Sequence, residues 1–196
     1  GKNKATWRDR FVAWQCFLVL ANSGLRVGEA RSLKWSDLRT ITDKEGVSRM
    51  LADVYGKTGE REAVFQPDAD KYIKRIYDLR CDELGKGPNI TENIFVHPDG
   101  KSIQSMKKAF NSLLEFCDVP IEKRGKARTI YSLRHFYATQ RLSNEVNPFI
   151  LAKQMGTSVE MLEKHYGQIV TSSLATQLTR GPQKAGKVDD KTYPFE

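Results

Sequence analysis

Tyr131-Ser132-Leu133-Arg134-His135-Phe136-Tyr137-Ala138-Thr139 is the stretch whose reading decides the rest of the chain. It falls within a helix expected at 130–143 and sets an arginine inside a largely apolar run. A guanidinium keeps its charge at any physiological pH, and half-burying one demands an anionic partner. No carboxylate lies within four residues of Arg134 on either side. The anion is therefore expected from outside the chain, and a phosphate matches the guanidinium's fork of donors. Downstream stand Met155-Gly156-Thr157 and then His165-Tyr166, a tyrosine whose phenol basic neighbours could turn into a nucleophile.

Working outward, the pattern before this stretch is mostly helical with one change of period. Trp7, Phe11, Trp14, Leu18 and Ala21 recur at helical spacing and predict a first helix buried along that stripe. Asn22-Ser23-Gly24 interrupts it and supplies caps for a helix from Leu25 to Leu33, and Ser36-Asp37 marks a turn. Met50 to Tyr55 and Arg61 to Phe65 read as two short strands around Gly56-Lys57-Thr58-Gly59. Helical spacing returns over Tyr72 to Arg80. Ser102 is placed to cap a further helix reaching Cys117, with Met106, Phe110, Leu113, Leu114 and Cys117 on its inner face. Lys123 to Arg128 reads as a basic loop. Helices at 130–143, 147–155 and 158–166 follow, then one from Ser172 to Leu178, and a loose tail after Arg180. The expected fold class is mainly α with a small antiparallel β-sheet or hairpin.

The chain has 196 residues, enough for one domain with a sizeable core, and its 29% charged and 39% hydrophobic residues are those of a soluble globule. The net charge of +8 favours a polyanionic partner, nucleic acid or a membrane surface. Cys16, Cys81 and Cys117 include no C-x-x-C pair, which points to reduced, mostly buried thiols, no disulfide framework and no metal site. The apolar stretch Phe11 to Ala21 is too short to span a bilayer, so no membrane contact and a cytoplasmic protein are expected.

The candidate site residues each carry two readings. Arg26 follows a cap and has Glu29 three residues on, so it forms either a local ion pair or, with the backbone amides of the helix start, an oxyanion site. Lys57 at the hairpin tip is either a solvated charge or a general acid able to reach a substrate edge. His135 points about 100° from Arg134 on a helix and is either a packing histidine or a supporting catalytic group. Tyr166 is either a packed tyrosine or a nucleophile, and its phenol, with an ordinary pKa of about 10, needs activation to attack.

In this order the motifs resemble those of the tyrosine recombinase family, the phage and genomic-island integrases. Ser23 to Ala30 with Leu33 to Leu38 is similar to the family's first arginine box, and Gly56 to Arg61 to its hairpin lysine segment. Tyr131 to Thr139 is similar to the second box, and Met155 to Ser158 with Lys164 to Gly167 to the segment bearing the nucleophile. The resemblance covers about residues 5–170 and implies the catalytic-core fold of that family. It implies that Tyr166 attacks a DNA phosphodiester to give a 3′-phosphotyrosyl bond and a free 5′-hydroxyl. Arg26 and Arg134 would hold the non-bridging oxygens, and Lys57 would protonate the leaving 5′-oxygen. Neither metal nor cofactor is implied, because the arginines supply the positive charge.

Tyr131 stands where the family most often has histidine, and Thr157 where it usually has histidine or tryptophan. Both hydroxyls can bond a phosphate oxygen, but neither shuttles protons near pH 7, which moves that load to Lys57 and to His135 or His165. Lys123, Arg124, Lys126 and Arg128 are expected to contact phosphates. The implied partners are double-stranded attachment-site DNA, further copies of the chain assembled on it as a tetramer, and accessory DNA-bending proteins. The expected division is a catalytic domain over 1–180 and a flexible tail over 181–196, with an N-terminal DNA-clamp domain lying outside this chain. DNA integration by a phage or other mobile element is the leading activity. A type IB topoisomerase, a resolvase, or a binding module of the same fold without cleavage are the alternatives.

Overall fold

The apolar run after Trp7 becomes the longest helix, α1 (Lys2–Ser23), in a computed structural model that describes residues 2–56, 59–123 and 125–166. Among the described residues its buried apolar side chains are Val12, Ala13, Cys16, Phe17, Val19 and Leu20, whereas Trp7 and Trp14 are 58% and 53% exposed. The expected stripe is therefore corrected. The helix is apolar on more than one side, and packing against other helices selects the face that goes inside. Trp7 stacks on Phe11 at 5.2 Å beside a groove that Phe116 also lines. Gly24 stops α1 in the left-handed region at φ +68, with its N–H on Leu20 O.

A short helix α2 (Val27–Ser32) and a 3-10 turn (Trp35–Asp37) lead into an antiparallel sheet of order β1-β2-β3. Its strands are β1 (Leu38–Thr42), β2 (Ser48–Gly56) and β3 (Gly59–Val64). Pairing runs from Leu38 opposite Ala52 to Gly56 opposite Gly59. Sequence reading expected two of these strands. β1 escaped it because all but its first residue face solvent, so no apolar alternation marks it.

Helix α3 (Ala69–Leu84) buries Ala69, Ile73, Ile76 and Arg80 on one stripe and ends at a left-handed Gly85. Arg80 is tolerated there because Glu83, Glu92 and Pro98 O all accept from it, and Arg8 of α1 joins the group through Glu83 at 2.5 Å. Helix α4 (Lys107–Phe116) starts later than expected. Ser102 is not its cap: it bridges to Val96, and its hydroxyl accepts from Asn93 at 2.5 Å. Phe110 and Leu114 are buried, but Cys117 lies exposed past the helix end instead of on the inner face. Of the three thiols only Cys16 is buried, and burial pushes it up to about 12.

The basic loop is a two-stranded ribbon, β4 (Glu122–Lys123) against β5 (Lys126–Ala127). Three helices follow: α5 (Ser132–Ser143), α6 (Pro148–Met155) and α7 over residues 159–166. Pro148 sits in the first turn of α6, where a missing N–H is harmless, and Asn147 caps it by accepting from Phe149 N at 2.8 Å. Apolar packing forms two clusters, one over α1 to α4 with the sheet, the other over α5 to α7 around Tyr137, Leu142, Leu151, Met155 and Leu162. The helix expected at Ser172–Leu178 and the tail after Arg180 lie outside the described residues. Among the described residues no helix is long and apolar enough to cross a membrane.

Candidate active site

The last carbonyls of a helix have no partner within it and carry the negative end of its dipole. At the end of α6 three successive carbonyls are each taken by a different arginine. Arg61 of β3 donates from Nε to Gln154 O at 3.0 Å. Arg134 of α5 donates from Nη2 to Met155 O at 2.6 Å, and Arg26, just before α2, donates from Nη2 to Gly156 O. Gly156 itself turns left-handed at φ +62, and a Cβ there would stand 3.0 Å from Arg61 Nε. The Gln154 side chain binds Ser23 O and Val64 O and accepts from Val64 N, tying α6 to both α1 and β3.

Arg134 is 4% exposed, and its second bond, from Nη1, goes to Gly24 O. Its partners in the chain are thus backbone carbonyls from the two halves of the fold. These dipoles take two of its five donors without cancelling the charge. Burial lowers its pKa below the ordinary arginine value, and the nearby Arg26 lowers it further, while Tyr131 and Glu29 oppose them.

Glu29 is the carboxylate of the group. It takes both terminal nitrogens of Arg61 at 2.8 Å, Arg26 Nη1 at 2.7 Å and the Arg26 N–H at 2.7 Å. The local ion pair read from the sequence is real, but it is shared. The Arg26 amide expected to face an oxyanion is occupied by Glu29. Burial pushes the Glu29 carboxyl up, yet the hydrogen bonds from Arg61 and Arg26 outweigh it and hold the group below the usual carboxylate range. One carboxylate thus stands among three guanidiniums, leaving an excess of positive charge. A cleft of about 550 Å³ opens there, lined by Arg26, Arg61, Gly156, Thr157, Ser158 and Met161.

Tyr166 comes to this neighbourhood on α7. Its hydroxyl lies 2.5 Å from His135 Nδ1, and burial pushes it up to about 12, with Tyr131 adding and Arg134 opposing. His135 is packed edge-on by Tyr131 at 5.0 Å and by His165 at 5.8 Å. Burial, then His165 and Arg134, lower its pKa below the ordinary histidine value.

The structure therefore draws Arg26, Tyr131, Arg134, His135, Thr157, His165 and Tyr166 into one region. Lys57 and Arg124 lie outside the described residues. Gly56, next to Lys57, packs against Glu29: a Cβ there would meet Glu29 Oε1 at 2.6 Å. Lys126 is exposed, while Arg128 donates to Pro120 O. Sequence reasoning missed Arg61 and the bridging role of Glu29. A signal existed: Arg61 and Ala63 alternate along β3 and Phe65 follows just past its end, so Arg61 shares a face with two buried residues, the same anomaly that singled out Arg134.

Comparison with curated proteins finds no match. Several solved structures share the fold. The XerH site-specific recombinase bound to a palindromic difH substrate in a post-cleavage complex aligns with a TM-score of 0.65 at 16% identity, over 86% of this chain and 45% of that one. The Tn1549 transposon integrase in complex with transposon right end DNA gives 0.58 at 18%, over 88% and 63%. The XerA recombinase gives 0.58 at 21%, over 88% and 64%. This chain spans less than half the length of the XerH structure it matches. The sequence profile of the phage integrase family matches residues 2–171, and the chain belongs to that family of tyrosine recombinases.

Proposed function

We propose that the chain is the strand-cleaving part of a site-specific DNA recombinase in which Tyr166 attacks a phosphodiester, forming a 3′-phosphotyrosyl bond and releasing a 5′-hydroxyl. The observation that carries this reading is the convergence of Arg26, Arg134 and Tyr166 from three separate segments around the end of α6. Each guanidinium has five N–H donors, and the carbonyl and carboxylate bonds found here leave some for a phosphate. Phosphoryl transfer asks mainly for positioning and for positive charge on the non-bridging oxygens, which Arg26 and Arg134 supply. The Thr157 and Tyr131 hydroxyls add neutral donors. Lys57 protonates the leaving 5′-oxygen, and religation runs the sequence backward. His165 supports the site through its packing against His135.

Residues 1–180 form the catalytic unit in this reading and 181–196 a tail. Lys123, Arg124, Lys126 and Arg128 hold the duplex backbone, so binding weakens steeply with salt. Copies assemble on attachment-site DNA as a tetramer, with accessory DNA-bending proteins, in the cytoplasm of a bacterial or phage-infected cell. No divalent cation takes part, so excess chelator leaves the rate unchanged.

The test is a pool of nicked duplexes of randomised sequence, incubated with the protein and resolved on a denaturing gel. Wild type forms a covalent adduct on a subset of sequences, whereas Tyr166→Phe binds them and forms none. A second reading, a DNA-binding module without cleavage, draws on the Tyr166 hydroxyl being held up at about 12. Binding without any wild-type adduct would select it.

A further inference from the structure

We propose that His135 is the general base that takes the phenolic proton of Tyr166 as that oxygen attacks phosphorus. The inference rests on the reading of Tyr166 as nucleophile and adds the residue that activates it. A phenol must lose its proton to attack, and positive charge around a phosphate favours that loss without saying where the proton goes.

The geometry points to one acceptor. His135 Nδ1 lies 2.5 Å from Tyr166 Oη, within the reach required of a general base. A neutral imidazole with its proton on Nε2 accepts at Nδ1 and the phenol donates. His165 meets Tyr166 ring to ring at 6.2 Å, whereas His135 meets its hydroxyl. Tyr131 stands one turn before His135 on the same helix face and closes over its ring at 5.0 Å. An imidazole is thus held against the nucleophile although position 131 carries a phenol.

Among the described residues, the titratable and charged groups facing His135 are Tyr131 at the N-cap of α5, Arg134 from α5, and His165 and Tyr166 from α7. Burial, His165 and Arg134 disfavour the imidazolium, so the base is neutral and ready at neutral pH. With the phenol pushed up to about 12, the proton does not move in the resting site. It moves as the Oη–P bond forms. The Oη–H bond then breaks with its proton going to Nδ1, its electron pair makes the Oη–P bond, and the P–O5′ bond breaks. A separate acid supplies the proton to O5′. On religation the imidazolium returns the proton to Tyr166.

The experiment measures single-turnover adduct formation on a nicked duplex recovered from the randomised pool, from about pH 5 to pH 8, across the range where a histidine titrates. His135→Asn places an amide oxygen near the position of Nδ1, keeping an acceptor that does not titrate. Wild type is expected to speed up as His135 loses its proton and then level off. His135→Asn is expected to bind the duplex equally well, react about 10²-fold or more slowly, and lack that acid limb. His135→Ala is expected to regain rate when imidazole is added. A His135→Asn variant that keeps the wild-type rate and acid limb overturns this proposal alone. Absence of any wild-type adduct overturns the nucleophile assignment and this one with it. Nitrogen-15 resonances of His135 in the unmodified protein give a test free of folding defects. A neutral ring protonated at Nε2 and perturbed by Tyr166→Phe is expected, and a ring protonated at Nδ1 overturns the proposal.

Discussion

Glu29 and Arg61 meet fork to fork, each carboxylate oxygen accepting from one terminal nitrogen at 2.8 Å, with both side chains almost wholly withdrawn from solvent. The same carboxylate holds Arg26 by its guanidinium and its backbone amide. One acidic residue of α2 therefore fixes the turn end of the β2–β3 hairpin, the orientation of Arg26 and, through Arg61, the end of α6.

Removing that carboxylate leaves buried guanidiniums without a charge partner. Glu29→Gln is expected to lower the unfolding free energy by about 3–5 kcal/mol, the usual cost of breaking a buried pair on one side. Urea unfolding at neutral pH measures it. A loss below about 0.5 kcal/mol, that of an ordinary surface change, would show that the pair does not hold the fold.

Arg134 bonds two carbonyls that belong to different halves of the molecule, Gly24 O and Met155 O. Lysine keeps the charge but is a point donor that lacks the planar fork. Arg134→Lys is expected to slow covalent adduct formation by about 10²–10³-fold, as for loss of one oxyanion donor, while duplex binding changes little. Equal losses in binding and cleavage would contradict a role centred on the transition state.

Gly24 is constrained twice, by φ +68 and by a Tyr137 ring atom 2.5 Å from where a Cβ would stand. Gly46 has φ +78 and open space around it. Gly46→Ala should therefore cost about 1–2 kcal/mol from left-handed strain alone. Gly24→Ala should cost roughly a further 1–3 kcal/mol from overpacking. Thermal unfolding of the two variants side by side checks the difference, and equal losses would contradict the close approach.

Acid should loosen the fold through two carboxyls. Hydrogen bonding from Arg8 holds Glu83 below the usual range against the opposing effect of burial, with Arg80 adding to it. Glu29 is held low by Arg61 and Arg26 despite its burial. A depressed folded-state pKa means that the unfolded chain binds more protons in that range. The contribution is therefore full above the unfolded value of about 4.3 and is lost as pH falls through the folded value. Unfolding free energy should decline below about pH 5, and Glu83→Gln should decline less steeply over the same range, since one linked proton is gone. Parallel curves for the two proteins would contradict the assignment to Glu83.

Much of this was legible beforehand because local chemistry writes it. Gly24, Gly85 and Gly156 stop helices where left-handed backbone is needed, and Gly56-Lys57-Thr58-Gly59 marks the hairpin. The family boxes likewise put Arg26, Arg134 and Tyr166 in order along the chain. The buried face of α1 was not legible. A helix rich in apolar residues on several sides offers more than one stripe, and only its neighbours choose among them. Strand β1 stayed hidden because pairing with β2, not burial, creates it.

The sequence by itself determined the order of the helices and of the β2–β3 hairpin, the family and the anomaly of an apolar-flanked Arg134, since each depends on residues near one another in the chain. Tertiary structure alone decided what surrounds that arginine. Gly24, Glu29, Arg61 and Met155 lie in segments outside the helix that carries it. They meet because three guanidiniums close on the successive carbonyls at the end of α6, at the junction of two apolar clusters. Carbonyl dipoles stand where an anion was sought beside Arg134, and they leave its positive charge uncancelled.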